Sequence, residues 1–258
     1  MALALRYNGV AAALNHRAGG MKEHDKAVIR LLDRAAKRHR WPVITWLFVA
    51  ITIAAFLYEL SIPSALRGCF LDDFGAIPHY VARLVTQPSS PACQLFQPAR
   101  PLLLTMIIAL FLHVGWLPLV GNMLFLIIVG DGVEDRLGHI GFALFYLACG
   151  LAGIVAQTLA NSSATVPILG ASGAVAGLLA ASLVFLPGAW VRTLLLIGLW
   201  VVFQALSGLA VFGAASDGSS SVVYVASLGG FAAGLTLALL YRWFAPAPPP
   251  RSASSLSA

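Results

Sequence analysis

The sequence predicts an all-α polytopic membrane protein, a bundle of six transmembrane helices, and three observations carry that prediction. Of the 258 residues, 59% are hydrophobic and 10% are charged, whereas a soluble domain carries about 25% charged residues. Mean hydropathy is +0.87. Six stretches approach the roughly 20 apolar residues that a helical span needs: 41–60, 115–129, 139–160, 172–186, 190–212 and 222–243.

Taken in order, these spans are not equally well defined. The first follows a basic segment and ends before Pro63. The second is blurred, because the apolar run begins at Pro101 and is too long for one simple span. The fourth is short, and its boundary with the fifth rests on Pro187 and Gly188. The N-terminus shows no compact apolar core followed by a cleavage site, so no cleavable signal peptide is expected.

Charge sets the orientation. Nine Lys/Arg precede the first span, and with a cytoplasmic N-terminus Arg136, Arg192, Arg242 and Arg251 also fall inside, which makes thirteen of the sixteen basic residues. Only Arg67, Arg83 and Arg100 fall outside. This is the positive-inside pattern. Both termini are therefore expected to be cytoplasmic, in a bacterial-type plasma membrane. The net charge of +6 marks topology in the lipid bilayer, and nucleic acid is not an expected partner.

The chain divides into a basic N-terminal segment, 1–40, a membrane domain, 41–243, and a Pro/Ser-rich tail, 244–258, expected to be disordered. Within the first, Met21–Arg40 reads as a basic amphipathic helix, either a solvated positive flank or a surface that docks on anionic lipid. Residues 62–100 form a long external loop. It contains Cys69 and Cys93, between which a disulfide is chemically permitted but not required, while Cys149 lies inside a span. No cysteine has the His or Asp neighbours of a metal site, so neither metal nor other cofactor is expected.

Small residues mark two helices. The fourth span opens Gly170-Ala171-Ser172-Gly173, with Gly177 one turn on, and the sixth carries Gly230 and Gly234 at Gly-x-x-x-Gly spacing. Small residues let membrane helices approach closely, so packing alone would explain both patterns. Depth adds a second reading. The topology puts Ser172, Ser227 and Asn122, from three helices, at one level below the outer surface, and polar groups there need partners or a water-filled cavity.

The stretches FLHVGWLPLVGNMLFLIIVGDGVEDRLG (111–138), GASGAVAG (170–177) and VASLGGFAAG (225–234) together resemble the rhomboid intramembrane serine proteases. The shared features are His113-x8-Asn122-Met123, the Gly130, Glu134, Gly138 spacing, Gly-x-Ser-Gly around Ser172 and the glycine-rich last helix. The resemblance spans all six segments, and it implies a six-helix bundle whose fourth helix starts in a water-accessible cavity. An external hairpin of short helices would account for the overlong run after Pro101. By the same resemblance, Ser172 is the nucleophile, Asn122 helps hold the oxyanion and Glu134 anchors the inner loop. Gly170, Gly173, Gly177, Gly230 and Gly234 pack the site. The family's general base, a histidine, falls at Ser227. A second family histidine, which assists at the oxyanion, falls at Pro118.

These two departures weigh against efficient catalysis. A serine attacks poorly without a base to take its proton, and losing the base costs about a million-fold in kcat in serine proteases. About a thousand-fold over water can survive through oxyanion binding and positioning. Serine is not basic near neutral pH, and proline offers no donor. His113 is the one histidine on the correct side near the second span, and the resemblance implies a structural, hydrogen-bonding task for it rather than rescue of the base. The favoured reading is a rhomboid scaffold that recognises transmembrane segments with proteolysis lost or much reduced. Behind it stand an active peptidase with an unconventional base or an altered histidine, and then a solute transporter or channel, which the absence of paired charges in the spans disfavours.

Overall fold

A computed structural model describes residues 41–86, 101–212 and 222–244. The fold described belongs to the unit that begins at Pro42. The expected Met21–Arg40 helix, Cys93 and the tail lie outside the described residues.

The elements in chain order are α1 (Val43–Ser61), α2 (Ser64–Phe74), α3 (Pro78–Arg83), α4 (Leu102–Ala109), α5 (Trp116–Ala160), α6 (Ser172–Phe185), α7 (Trp190–Phe212) and α8 (Val222–Phe244), with a 3₁₀ turn at Pro187–Ala189. Helices α1 and α5, Trp190–Gly208 of α7 and Tyr224–Phe244 of α8 are long and apolar enough to cross a membrane. The protein is all-helical across the described residues, apart from one isolated bridge between Ala76 and Ile168.

Helix α5 cannot be one straight rod in a bilayer. Its 45 residues would extend about 68 Å, over twice the roughly 30 Å hydrocarbon core. Gly138 resolves this, with φ 73° and ψ 168°, a region open in practice only to glycine. The chain then folds back. Residue 122 lies beside Gly170, just before α6, and Gly132 lies against Leu186, just after it. Past the break, Cys149 reaches Gly177 and Gly153 reaches Gly173, back at the start of α6. The two halves, 116–137 and 139–160, thus run in opposite directions along α6.

The first half runs eight residues beyond the expected end at 129, through a charged stretch that had read as a loop. Glu134 explains the difference. Its carboxylate is buried and accepts from the backbone N–H of Ile44 (2.9 Å) and Thr45 (2.8 Å) and from the Thr45 hydroxyl (2.7 Å). It also contacts Nδ1 of His139 at 2.6 Å. An anion at a helix N-terminus satisfies orphan N–H groups and meets the positive end of the dipole. Glu134 therefore caps α1 from another helix. Gly130 makes room, since a Cβ there would crowd the Thr45 side chain.

Helix α6 sits at the centre. At 14 residues it is about 21 Å long, too short to span alone. Twelve of its residues are buried, as expected of a helix that is apolar on every side. Its closest neighbour is α8. A Cβ at Gly230 would overlap the Gly173 backbone, and one at Gly234 would overlap that of Gly177. Outward faces are apolar and exposed, as at Leu195, Leu199 and Leu228, which suits contact with lipid.

The overlong run after Pro101 is α4 followed by a turn into α5, and α2, α3 and α4 are the short helices expected between the first two spans. Arg67 on α2 donates to the carbonyls of Leu60 and Ile62 at the end of α1, at 2.9 and 3.1 Å. Cys69 is disulfide-bonded and Cys149 is free.

Candidate active site

Backbone bonds fix the segment that leads into α6. His79 N donates to the Ala164 carbonyl at 3.0 Å, and Ala76 and Ile168 exchange both of their bonds, at 3.2 and 2.8 Å. Gly170 N donates to the Ala109 carbonyl at 2.9 Å. Gly170 itself has φ 103°, a conformation that L side chains rarely adopt. The chain can therefore turn from this segment directly into the helix, and Ser172 is its first residue.

Ser172 is half-buried, whereas every neighbour from Gly173 to Ser182 is buried. No side chain caps this helix end, and the first intrahelical bond is from Val175 N to the Ala171 carbonyl, at 2.9 Å. The N–H groups ahead of Val175 thus have no acceptor within the helix and carry the positive end of its dipole. Such a terminus can hold an anion or a developing oxyanion.

Asn122 and His113 flank this approach. Their side chains meet at 3.1 Å, Nδ2 to Nε2, and both residues are buried. From a Cβ built on Gly170, Asn122 Nδ2, His113 Nε2 and the Leu112 carbonyl would each lie 3.8 Å away. Asn122 Nδ2 can only donate, so Nε2 of His113 accepts and the ring proton resides on Nδ1. Burial lowers the His113 pKa to about 4, which keeps the ring neutral near pH 7. Asn122 Oδ1 is buried without a protein partner.

Ser227 approaches from α8. It is buried, and its Oγ accepts from Nε2 of Gln204 on α7 at 3.0 Å. Ala226 and Gly230, on either side of it along α8, both lie against Gly173. The turn that carries Ser227 therefore packs on the first turn of α6, where Ser172 stands. Pro118 is in the first turn of α5, where its missing N–H has no intrahelical acceptor to lose.

The other described histidines are engaged elsewhere, His79 with Arg83 and His139 with Glu134. The glycines singled out in the sequence divide by task, Gly170 in the entry turn and Gly173, Gly177, Gly230 and Gly234 in the α6–α8 seam. Sequence reasoning missed Gln204. The signal was available, because a glutamine within an apolar span is as unusual as the asparagine that drew attention. It also missed that Asn122 and His113 are partners.

Comparison with known proteins agrees with this architecture. The Rhomboid domain family matches residues 100–244. Among curated relatives, RHOMBOID-like protein 5 of Arabidopsis thaliana is 28% identical over 157 residues, covering 55% of this chain and 51% of that protein. Rhomboid-like protein 11, chloroplastic, of the same plant is 35% identical over 147 residues, covering 53% of this chain and 51% of that protein. The chain spans about half the length of these relatives. With more than half of its own residues inside the family match, and with a short central helix buried among longer apolar ones, this integral membrane protein belongs to the rhomboid family.

Proposed function

We propose that this chain is a rhomboid scaffold that binds transmembrane segments of other proteins and cleaves them poorly or not at all. One observation carries the reading. The residue at the family's general-base position, Ser227, has a hydroxyl that accepts from Gln204 and cannot act as a base near neutral pH. Ser172 at the free end of α6 and Asn122 beside it retain the nucleophile and oxyanion positions, and the glycine seam of α6 and α8 keeps the scaffold that presents them. At Pro118 the assisting histidine is missing as well. His113 is a poor substitute base, since its Nε2 is committed to Asn122 and burial lowers its proton affinity.

The same reading takes 41–243 as a six-span membrane domain, counting α5 as two spans and α6 as a third central one. It places both termini in the cytoplasm and α2 to α4 outside. Thiol labelling of single cysteines from each side of sealed vesicles tests this topology, and external labelling near Arg38 would overturn it.

The functional test is co-reconstitution with a model transmembrane protein carrying a photocrosslinker in its outer half. Crosslinking to α7 or to the 116–137 half, with the client left intact over hours, is the expected outcome. Cleavage abolished by Ser172→Ala would instead support an active peptidase with an unconventional base. Intact clients that never crosslink would remove the binding role.

A further inference from the structure

On the side of the bundle away from α7, the helices α3 and α4 and the end of α5 leave an open-sided cavity of about 270 Å³. Its walls are Val81 and Leu84, Leu102 and Met106, and Val155 and Leu159. Cavities with walls this apolar stay dry and take apolar guests, because water enters only where it finds polar partners. The rim is apolar as well. Leu84, Leu103 and Leu159 are exposed, and Leu84 is held at φ 53°, a left-handed conformation uncommon for such a side chain. Water offers nothing to these leucines, whereas lipid tails are as apolar as leucine itself.

Two polar groups at this cavity are not matched by the protein. Thr158 lines it, is buried, and has an Oγ1 with no protein partner. A hydroxyl on a membrane helix ordinarily bonds the carbonyl one turn back, as Thr52, Ser182 and Thr236 do here. Thr158 does not, and a buried hydroxyl left unpaired is costly. The second group is Arg83, between the lining residues Ala82 and Leu84. Its Nη1 donates to Nδ1 and to the carbonyl of His79, at 2.8 and 2.9 Å. That pair steers the guanidinium and leaves Nε and Nη2 for another acceptor. Among the described residues no carboxylate pairs with Arg83.

We infer that this cavity holds one acyl chain of a membrane phospholipid, with Thr158 donating to an ester carbonyl and Arg83 engaging the phosphate. Apolar walls, a hydroxyl in the last turn of a span and a cation on a flanking helix match the tail, ester and phosphate of a single lipid. Arginine suits the last task, since its planar fork pairs with phosphate oxygens. In the proposed topology the lipid belongs to the outer leaflet, and the site itself needs only that α5 ends at a membrane interface. The bound chain fills the space between the short helices α3 and α4 and the span behind them. It does not depend on whether clients are bound or cut.

The test reconstitutes the full chain in bilayer discs containing a phosphatidylglycerol with a diazirine midway along one acyl chain, and maps the crosslinks by peptide mass spectrometry. Label on the peptides holding Met106 and Val155 should exceed that at Leu195 and Leu199 of α7, whose exposed side chains report bulk lipid. Ala82→Phe fills the cavity from α3 and should bring the first label down to the α7 level, leaving α7 unchanged. Thr158→Val keeps the shape and removes the hydroxyl, so it should lower the label about threefold, the effect of one hydrogen bond within a membrane. Arg83→Gln should lower it about fivefold, the effect of one basic residue at a lipid surface. Thr158→Val carries the test if Ala82→Phe does not fold. Label that ignores both variants would overturn the site. So would label that never exceeds the α7 level, the result expected if Leu95 and Phe96 of this chain fill the cavity instead. A diazirine fatty alcohol that labels as strongly, unaffected by Arg83→Gln, would overturn the assignment to a phospholipid.

Discussion

Asn122 and His113 form a buried pair, amide to imidazole at 3.1 Å, in which Nδ2 of the amide faces a neutral ring. Protonation would set an N–H on Nε2 against the Asn122 amide protons. Burial itself opposes protonation of His113, because desolvation disfavours the charged ring and lowers its pKa from 6.5 to about 4.

A group whose folded pKa is depressed contributes stability above its unfolded pKa, and that stability is lost as pH falls toward the folded value. The window here runs from about pH 6.5 down to about pH 4. Between pH 7 and pH 5 the His113 contribution should drop by about 2 kcal/mol. Thermal melts of the purified protein at both pH values, compared with His113→Gln, would show it. The variant should lose less stability across the same interval, and an identical acid limb in both proteins would rule the pair out as its cause.

Glu134 leads to a second expectation. Glu134→Ala leaves the Ile44 and Thr45 N–H groups without their acceptor and His139 without its partner. With the Thr45 hydroxyl, which loses the same acceptor, three donors are orphaned, at a cost of about 3–5 kcal/mol. Glu134→Gln keeps an acceptor oxygen and should lose about half as much. Detergent melts distinguish the three proteins, and equal melting temperatures would mean that α1 is capped by other means.

The central seam should respond to single methyl groups. Gly234→Ala places a Cβ on the Gly177 backbone, which cannot move as the tip of a side chain can, so a loss of about 3 kcal/mol is expected. Gly198→Ala on α7 meets nothing within 4 Å. It should be neutral or slightly stabilising, because alanine is the better helix former. Similar melting temperatures for both variants would contradict the close approach of α6 and α8.

These residues also show what a linear reading captures. The spans were legible because hydropathy registers lipid contact directly, and Gly230 and Gly234 were legible because their spacing repeats on one helix face. The 130–137 extension of α5 was not, since a buried carboxylate that caps a distant helix looks in sequence like one charge in a loop. Nor was the pairing of Gln204 with Ser227, which depends on how α7 is rotated, and no local pattern records that rotation. The short length of α6 was read correctly, yet its reason emerges only when every face is seen to be covered by protein.

The proposed function requires that Ser172, the nucleophile position implied by the family resemblance, has no base to activate it. Its most direct test is labelling of the purified protein at pH 7 with a serine-directed fluorophosphonate, quantified against Ser172→Ala. A general base must come within about 2.6–3.2 Å of the hydroxyl, and no described histidine is bonded to Ser172. Labelling indistinguishable from Ser172→Ala is expected in the parent protein, and a measurable gain when Ser227→His is combined with Gln204→Ala, which removes the amide bonded to the residue 227 side chain. Robust labelling of the parent that disappears in Ser172→Ala would contradict it, because some other group would then be activating this serine.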